Sequence, residues 1–462
     1  MSERAARIRS LRGALAQDPA VADAHGELGA LLLEEARSLQ TAAMARREDR
    51  AAEAAPLYRE ALAHFEAATQ LQPERAQPRR MCGIVLRELG ELAAARARFA
   101  EAHRLAPDHP ATAADYASAL QAADDTPGAI ALFQQALQQS PVDAGLHAAF
   151  ALTLLGSGDY ARGWQEYEWR LRVPGAAIDR PFPFARWRGE PLAGRTLLVY
   201  SEQGVGDEIM FASCLPQLIA AAARCVIEVS RRLAPLFRRS FPNATVLARN
   251  LSRMPDWAAL PRIDLCIPAG SVPSILRTAA RAFPQHSGYL RADPERVRHW
   301  GRRLEALGPG RKIGLAWTGG LPGTLRAARS VSLAQLRPLT AGGEDAFVAL
   351  EFLDCADQVR AFNRDGAGRI HWWPEAVATL DETAALVTAL DLVVSVTTAT
   401  AHLAGALGRP TWVLVPSVPS WRYLWEGERM PWYPAVRVFR GRGSARSAVL
   451  QACDALRRPP AA

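Results

Sequence analysis

The sequence predicts a multidomain chain, with an all-α solenoid of helical repeats over residues 1–172 followed by two α/β halves over residues 195–300 and 301–462. Three observations carry the prediction. Prolines recur every 34 residues at Pro73, Pro107 and Pro141, each behind the same small–aromatic–small frame. After residue 195, short apolar runs alternate with helical stretches, the texture of parallel sheets covered by helices. Between the two textures lies "RVPGAAIDRPFPFARWRGEPLAGR", whose proline and glycine content marks residues 173–194 as a linker. A length of 462 residues fits two or three domains rather than one.

The repeat frame is Ala61, Phe65 and Ala68 before Pro73, then Ala95, Phe99 and Ala102 before Pro107, then Ala129, Phe133 and Ala136 before Pro141. Gly83 follows Pro73, and Gly29 follows Pro19, by ten residues. This period and these positions are the tetratricopeptide pattern. Small residues let paired helices approach, the aromatic ring fills the groove between them, and proline closes the second helix. Pro19 to Pro73 is one period plus 20 residues. The excess falls in "SLQTAAMARREDRAAEAAP", as a lengthened helix pair or an excursion between helices. A fourth unit, "AGLHAAFALTLLGSGDYARGWQEYEWRL", places Trp164, Tyr167 and Trp169 where small residues are usual. Terminal repeats are atypical where they end a stack or dock on a neighbour, and docking is expected here. Such arrays bind a peptide or protein and carry no chemistry alone.

Composition narrows the function classes. The chain is 49% hydrophobic and 22% charged, a globular balance. Its net charge of +8 is almost wholly arginine, Lys312 being the sole lysine. The basic residues are scattered, with no aromatic-interleaved stripe, so no nucleic-acid partner is expected. The six cysteines form no CxxC pair and no zinc-spaced cluster, and sit in apolar runs as buried thiols. The start "MSERAARIRSLRGALAQDP" lacks a signal-peptide core and no apolar run is long enough for a transmembrane segment, so a cytoplasmic protein is expected.

In the α/β halves the expected strands are "TLLVY", "CVIEVS", "IDLCIP", "KIGLAW", "AFVALEF", "DLVVSV" and "TWVLVP". The first is followed by "SEQGVGDEIMF". A dinucleotide fingerprint would need a third glycine where Ile209 stands, and a Walker loop would need a Lys-Ser/Thr that is missing. What remains is a glycine turn opening a helix, with Asp207 and Glu208 in its first turn. Asp207 can cap that helix, can act as a base, or can do both. In the second half, "DLVVSVTTATAHLAGALGRPTWVLVP" sets a buried strand before a helix through His402. Free N–H groups at the helix start and the hydroxyls of Thr397, Thr398 and Thr400 would cradle a diphosphate. The alternative is a capping threonine and a buried histidine.

These two loops, in this order in two successive halves, resemble the heptosyltransferase-like (family 9 type) glycosyltransferases, and the whole chain resembles bacterial proteins that fuse tetratricopeptide repeats to such a domain. The matching pieces are "EQGVGDEIMFASCLP", "KIGLAWTGG", "RSVSLAQLRPL", "DETAALVTALDLVVSVTTATAHLAGALGRPTWVLVP" and "WRYLWEGERMPWYPAVRVFR". The resemblance implies a GT-B glycosyltransferase module of two Rossmann-like α/β domains, the first on the acceptor side and the second on the nucleotide-sugar side. It makes Asp207 the general base that takes a proton from an acceptor hydroxyl, with Glu208 as fallback. It puts Glu202, Gln203, Gly204 and Gly206 in the acceptor loop. Donor contacts fall to Trp317, Thr318, Gly319, Gly320, Arg326, Arg329, Ser330, Thr397, Thr398, Thr400 and His402, an arginine offsetting charge on the leaving diphosphate. No DxD is present, so no metal and no cofactor is expected; the nucleotide sugar is the donor substrate. The implied reaction is inverting transfer to a protein recruited by the repeats, flagellin for example.

Three departures from that family stand out. Thr397 replaces an acidic residue, the lysine after the "GLAW" strand is missing, with Arg326 or Arg329 as its substitutes, and Lys312 reads as an exposed flanking charge. They keep open a catalytically inactive repeat scaffold, beside transfer to a lipopolysaccharide or polysaccharide precursor. Trp421, Trp425 and Trp432 read as stacking partners for a base or sugar, or as packing between the halves. Glu351 reads as an acceptor for the donor's base or ribose, or as a solvated strand-end charge.

Overall fold

The fold was read from a computed structural model, which describes the chain except residues 1–2, 49, 175–179, 181, 251–261, 321–325, 342, 367, 416–419, 442–443 and 458–462. It divides into two units, Met1–Thr153 with Gly319–Ser330, and Leu154–Thr318 with Val331–Ala462.

In the first unit, antiparallel helix pairs follow the 34-residue period: Ala76–Glu88 with Leu92–Leu105, and Pro110–Ala122 with Thr126–Gln139. All nine residues of the small–aromatic–small frame are buried. The reason for Gly83 is steric: a Cβ there would meet the ring of Phe99, and one at Gly29 would meet the ring of Phe65. The 20 extra residues lengthen a helix pair, Ala22–Ala45 and Ala51–Leu71 running 24 and 21 residues. Divided over two antiparallel helices, the insertion leaves Gly29 opposite Phe65 and the stacking register intact. Asp125 caps the helix Thr126–Gln139 by accepting from Gly128 N at 2.9 Å.

The second unit opens with the end of the fourth repeat. Its helix Tyr160–Tyr167 packs within this unit, as the aromatic substitutions predict. Trp164 is 1% exposed and donates from Nε1 to the Arg277 carbonyl at 2.9 Å. Trp169 is half-buried beneath the Arg172 guanidinium.

Two sheets follow. The first comprises β1 (Ala185–Arg186), β2 (Thr196–Tyr200), β3 (Arg224–Val229), β4 (Thr245–Ala248) and β5 (Leu265–Pro268), all parallel, in the order β1-β5-β2-β3-β4. The second comprises β6 (Lys312–Ala316), β7 (Ala346–Ala349), β8 (Ile370–His371), β9 (Leu392–Val396), β10 (Thr411–Val415), β11 (Arg429–Met430) and β12 (Tyr433–Arg440). Its order is β11-β12-β10-β9-β6-β7-β8, with only β11 antiparallel among the described strands. All seven expected strands form. Unforeseen are β4 and β12 and three two-residue strands. The eight residues of β12, "YPAVRVFR", hide behind a proline and two arginines, the signature of a strand near a sheet edge. The central strands β2, β6 and β9 are buried along their whole length, as strands covered by helices on both faces must be.

Lys312 is a correction: it is buried rather than exposed. Its ammonium donates to the Gly308 carbonyl at 2.5 Å and to that of Gly310, and its backbone N donates to Asp391 at 2.7 Å. A turn whose carbonyls have no strand partner takes up the charge. All six cysteines are buried thiols.

Candidate functional site

In a parallel sheet, ligands bind outside the carboxyl ends of the strands where the strand order reverses. Connections run from β2 outward through β3 to β4, then return to β5 on the other side, so the first reversal lies at the end of β2. They run from β6 through β7 to β8, then return to β9 and continue to β10, so the second lies between the ends of β6 and β9. The loop Glu202–Gly204 follows β2, Trp317 and Thr318 follow β6, and Thr397–Thr400 follow β9. Both reversals therefore carry residues the sequence singled out.

At the first reversal, Gly204 is the N-cap of the helix Val205–Phe211 and supplies no side-chain cap. The Asp207 and Glu208 amides bond to the Gly204 carbonyl, each at 2.9 Å. Asp207 does not cap this helix, which corrects the capping reading. Its Oδ1 instead accepts from Arg422 Nε at 2.6 Å and lies 2.5 Å from Nη2. Arg422 stacks over the Trp421 ring, its guanidinium carbon 4.8 Å from the centroid. Burial works against the Arg422 charge, but Asp207 together with Tyr167 and Tyr423 raises the guanidinium pKa. Glu208, one residue on, turns into the first half. Its Oε2 accepts from Ser230 N at 2.8 Å, Arg249 lies 3.7 Å from Oε1, and burial raises its pKa. The Glu202 side chain is buried, taking hydrogen bonds from Arg170 at 2.6 and 3.1 Å and from Gly270 N at 2.8 Å. Gln203 donates to the Tyr167 hydroxyl at 2.7 Å.

At the second reversal, Thr398 caps the helix Ala399–Ala406, its hydroxyl accepting from Thr400 N at 3.2 Å and lying 3.2 Å from that of Ser395. Thr397 is buried and Thr400 half-buried. His402 is also buried, with Nδ1 3.1 Å from the Tyr433 hydroxyl and Nε2 3.3 Å from that of Tyr423. The buried-histidine alternative describes it. The two reversals meet at Gly206, where a Cβ would lie 3.3 Å from His402 Cδ2 and 3.5 Å from Ala399 Cα. Only a residue without a side chain brings the first turns of these two helices so close.

On the β6 side, the backbone N–H groups of Trp317 and Thr318 both donate to Glu351 Oε1, at 2.5 and 2.8 Å. Glu351 is buried, so it fixes the turn after β6 and is not a solvated charge. Gly319, Gly320, Arg326, Arg329 and Ser330 group with the helical-repeat unit. There Gly319 N donates to Ser330 Oγ at 2.9 Å, Ser330 donates to the Arg326 carbonyl at 2.7 Å, Gly320 has φ +79°, and Arg326 is buried. Trp421 and Trp432 are buried in an aromatic cluster with Trp164, and Trp425 donates from its backbone N to Gly156 O at 2.9 Å. Packing is the role these tryptophans play.

Sequence reasoning missed Arg422, Arg170 and Tyr167 as neighbours of the two loops. In the "WRY" triplet the sequence offers a tryptophan beside an arginine as a stacking pair, not the arginine as a partner for Asp207. A hollow of about 770 Å³ lined by Thr340, Asp345, Arg369 and His371 lies at the amino-terminal edge of the second sheet, the edge where parallel-sheet ligands do not bind. Among the described residues no group of three or more His, Cys, Asp or Glu side chains is placed to hold a metal, and no helix is long and apolar enough to cross a membrane.

No protein-family profile matches the chain. It is 35% identical over 400 residues to Protein FlbA of Caulobacter vibrioides, an alignment covering 82% of this chain and 66% of that protein. This chain thus spans slightly less than two thirds of its relative's length. Among solved structures it is similar to a glycosyl transferase family 9 protein from Veillonella parvula, at TM-score 0.45 and 12% identity, covering 58% of this chain and 99% of the other. It is also similar to an O-GlcNAc transferase mutant of Thermobaculum terrenum, at TM-score 0.32 and 14% identity, covering 100% of this chain and 91% of the other. In architecture, the chain is an array of helical repeats followed by two α/β halves, each built on a largely parallel sheet.

Proposed function

We propose that the chain is a glycosyltransferase that moves a sugar from a nucleotide-sugar donor to an acceptor hydroxyl on a protein recruited by its repeats. One observation carries the reading: helices starting at the reversal points of both sheets meet at Gly206, beside Asp207. Arg422 occupies Oδ1 of Asp207, while no hydrogen bond to Oδ2 is found among the described residues. Oδ2 would take the acceptor's proton as that oxygen attacks the anomeric carbon. The bond from that carbon to the diphosphate breaks as the new bond forms on the opposite face, so the configuration inverts. The N-terminal dipole of the Ala399 helix and the Arg422 charge would stabilise the leaving diphosphate. No step in this scheme calls for a metal.

Thermal-shift screening against UDP-, GDP-, ADP-, CMP- and dTDP-sugars tests the reading, since a ligand bound only by the folded state raises the melting temperature. Stabilisation by one nucleotide family, kept in Asp207→Asn while sugar transfer is lost, is the expected result. A second reading, a repeat scaffold that has lost catalysis, draws on the buried Thr397 and on the two tyrosines that occupy His402. No shift with any sugar nucleotide would favour it. Transfer to a lipopolysaccharide or polysaccharide precursor in place of protein would keep the enzyme and change only the acceptor.

A further inference from the structure

The loops that hold and orient Asp207 come from different halves of the α/β module, yet both rest on the end of the fourth repeat. From the first half, Glu202 is clamped by Arg170 and Gln203 is tied to the Tyr167 hydroxyl. Arg170 is itself buried, donating also to the Tyr167 carbonyl at 3.1 Å and to Ser271 Oγ at 2.9 Å. The three side chains converge on one turn: a Cβ at Gly270 would lie 3.1 Å from both Arg170 Nη2 and Gln203 Nε2, and would collide with Glu202. From the second half, Trp421 packs edge-on against Trp164, with ring centroids 5.7 Å apart, and lies 5.8 Å from Tyr167. Trp425 sits against Gly156, where no side chain has room, and bonds to the Gly156 carbonyl. Between these two tryptophans stands Arg422.

We infer that the end of the fourth repeat is a working part of the catalytic centre, with Tyr167 and Arg170 as positioning residues for the Glu202–Asp207 loop and Trp164 as the seat of the Trp421–Arg422 segment. The physical case is one of cost. A buried arginine with all its donors used and a buried carboxylate with three are expensive to desolvate and worth keeping only in one geometry. The helix Val205–Phe211 has no side-chain cap of its own, so the loop before it is held from outside. Catalysis is then inseparable from residues 154–172, and the two α/β halves alone do not make the site. The inference concerns the catalytic site of the proposed transferase and rests on that reading for its consequence, though not for its geometry.

Hydrogen exchange on the full-length protein tests the geometry without any substrate. The reporters are the amides of Asp207 and Glu208, bonded to the Gly204 carbonyl, and of Gly270, bonded to Glu202. Tyr167→Phe removes one hydroxyl and keeps the ring. It should speed exchange at Asp207 and Glu208 about threefold to tenfold, the change expected for one lost buried hydrogen bond. Arg170→Gln should do the same at Gly270. Unchanged exchange in both Tyr167→Phe and Arg170→Gln would show that the loop supports itself, and would overturn the inference. The transferase reading is checked in parallel with the same sugar-nucleotide panel. There the variants should lower kcat for transfer at least about tenfold, with KM for the donor and its thermal shift unaltered. Faster exchange in the variants, with no sugar nucleotide shifting the wild type, would uphold the positioning role and sink the transferase.

Discussion

Trp164 is the side chain on which the docking of the fourth repeat can be measured. It is 1% exposed, its indole N–H bonds to the Arg277 carbonyl at 2.9 Å, and its ring meets Tyr167, Trp421 and Trp432 edge-on at 5.4, 5.7 and 6.2 Å. Trp164→Phe keeps most of the ring contacts and loses the hydrogen bond, worth about 0.5–1.5 kcal/mol net, plus part of the side-chain volume. About 2 kcal/mol is the expected loss. Trp164→Ala removes everything and leaves a cavity, for which truncations of this kind cost about 3–5 kcal/mol. The unit holding Trp164 contains roughly 300 residues, so 1 kcal/mol corresponds to about 2 °C or slightly less. Scanning calorimetry should then show the larger unit's transition lowered by about 4 °C in Phe and about 8 °C in Ala, with the repeat unit's transition unmoved. A loss below about 0.5 kcal/mol in Trp164→Ala, the range of surface substitutions, would refute the docking argument. Equal losses in the two variants would mean that the hydrogen bond, not the packing, holds the helix.

Other expectations follow from single residues. Asp207→Asn should lower transfer by about two to four orders of magnitude, the usual worth of a general base, and leave donor-induced stabilisation intact; full activity would remove Asp207 from the mechanism. Gly206→Val would put a branched side chain within 3.3 Å of His402 and 3.5 Å of Ala399. The helices must part, at a cost of about 1–3 kcal/mol, and both melting temperature and sugar-nucleotide binding should fall together; binding that survives unaltered would separate the two loops functionally. Burial raises the Glu208 pKa above its ordinary 4.5. Its contribution to stability is therefore complete below that value and declines as pH rises through the native pKa. Glu208→Gln retains an acceptor for Ser230 N and should flatten this decline in melts taken from pH 4.5 upward; an unchanged pH profile would mean that Glu208 does not titrate in this range.

The architecture was legible because its signals are short-ranged. A 34-residue period, a small residue facing an aromatic ring, and an apolar run followed by a glycine turn all act within one helix pair or one strand–helix unit. Hence the buried frame from Ala61 to Ala136, the seven predicted strands and the aromatic docking helix all formed where the sequence placed them. The site was legible only as positions. The glycine turn at Gly204 and the capping Thr398 open their helices, but the roles of Asp207, Glu351 and His402 waited on partners the sequence could not name. Asp207 could locally cap, act as a base or do both, and its bond to Arg422, 215 residues away, takes its carboxylate away from the cap. Glu351 is turned to the backbone of Trp317 and Thr318, 34 and 33 residues before it.

What the sequence alone determined, then, is the order of domains, the repeat register and which strand ends carry candidate residues, since these depend on neighbours a few turns away. What only the tertiary structure decided is which charges face each other: Asp207 with Arg422, and Glu202 with Arg170. A charge that leaves water must find its partner wherever packing brings one within about 3 Å. That distance is set by how two sheets and a terminal helix come together, not by any spacing along the chain.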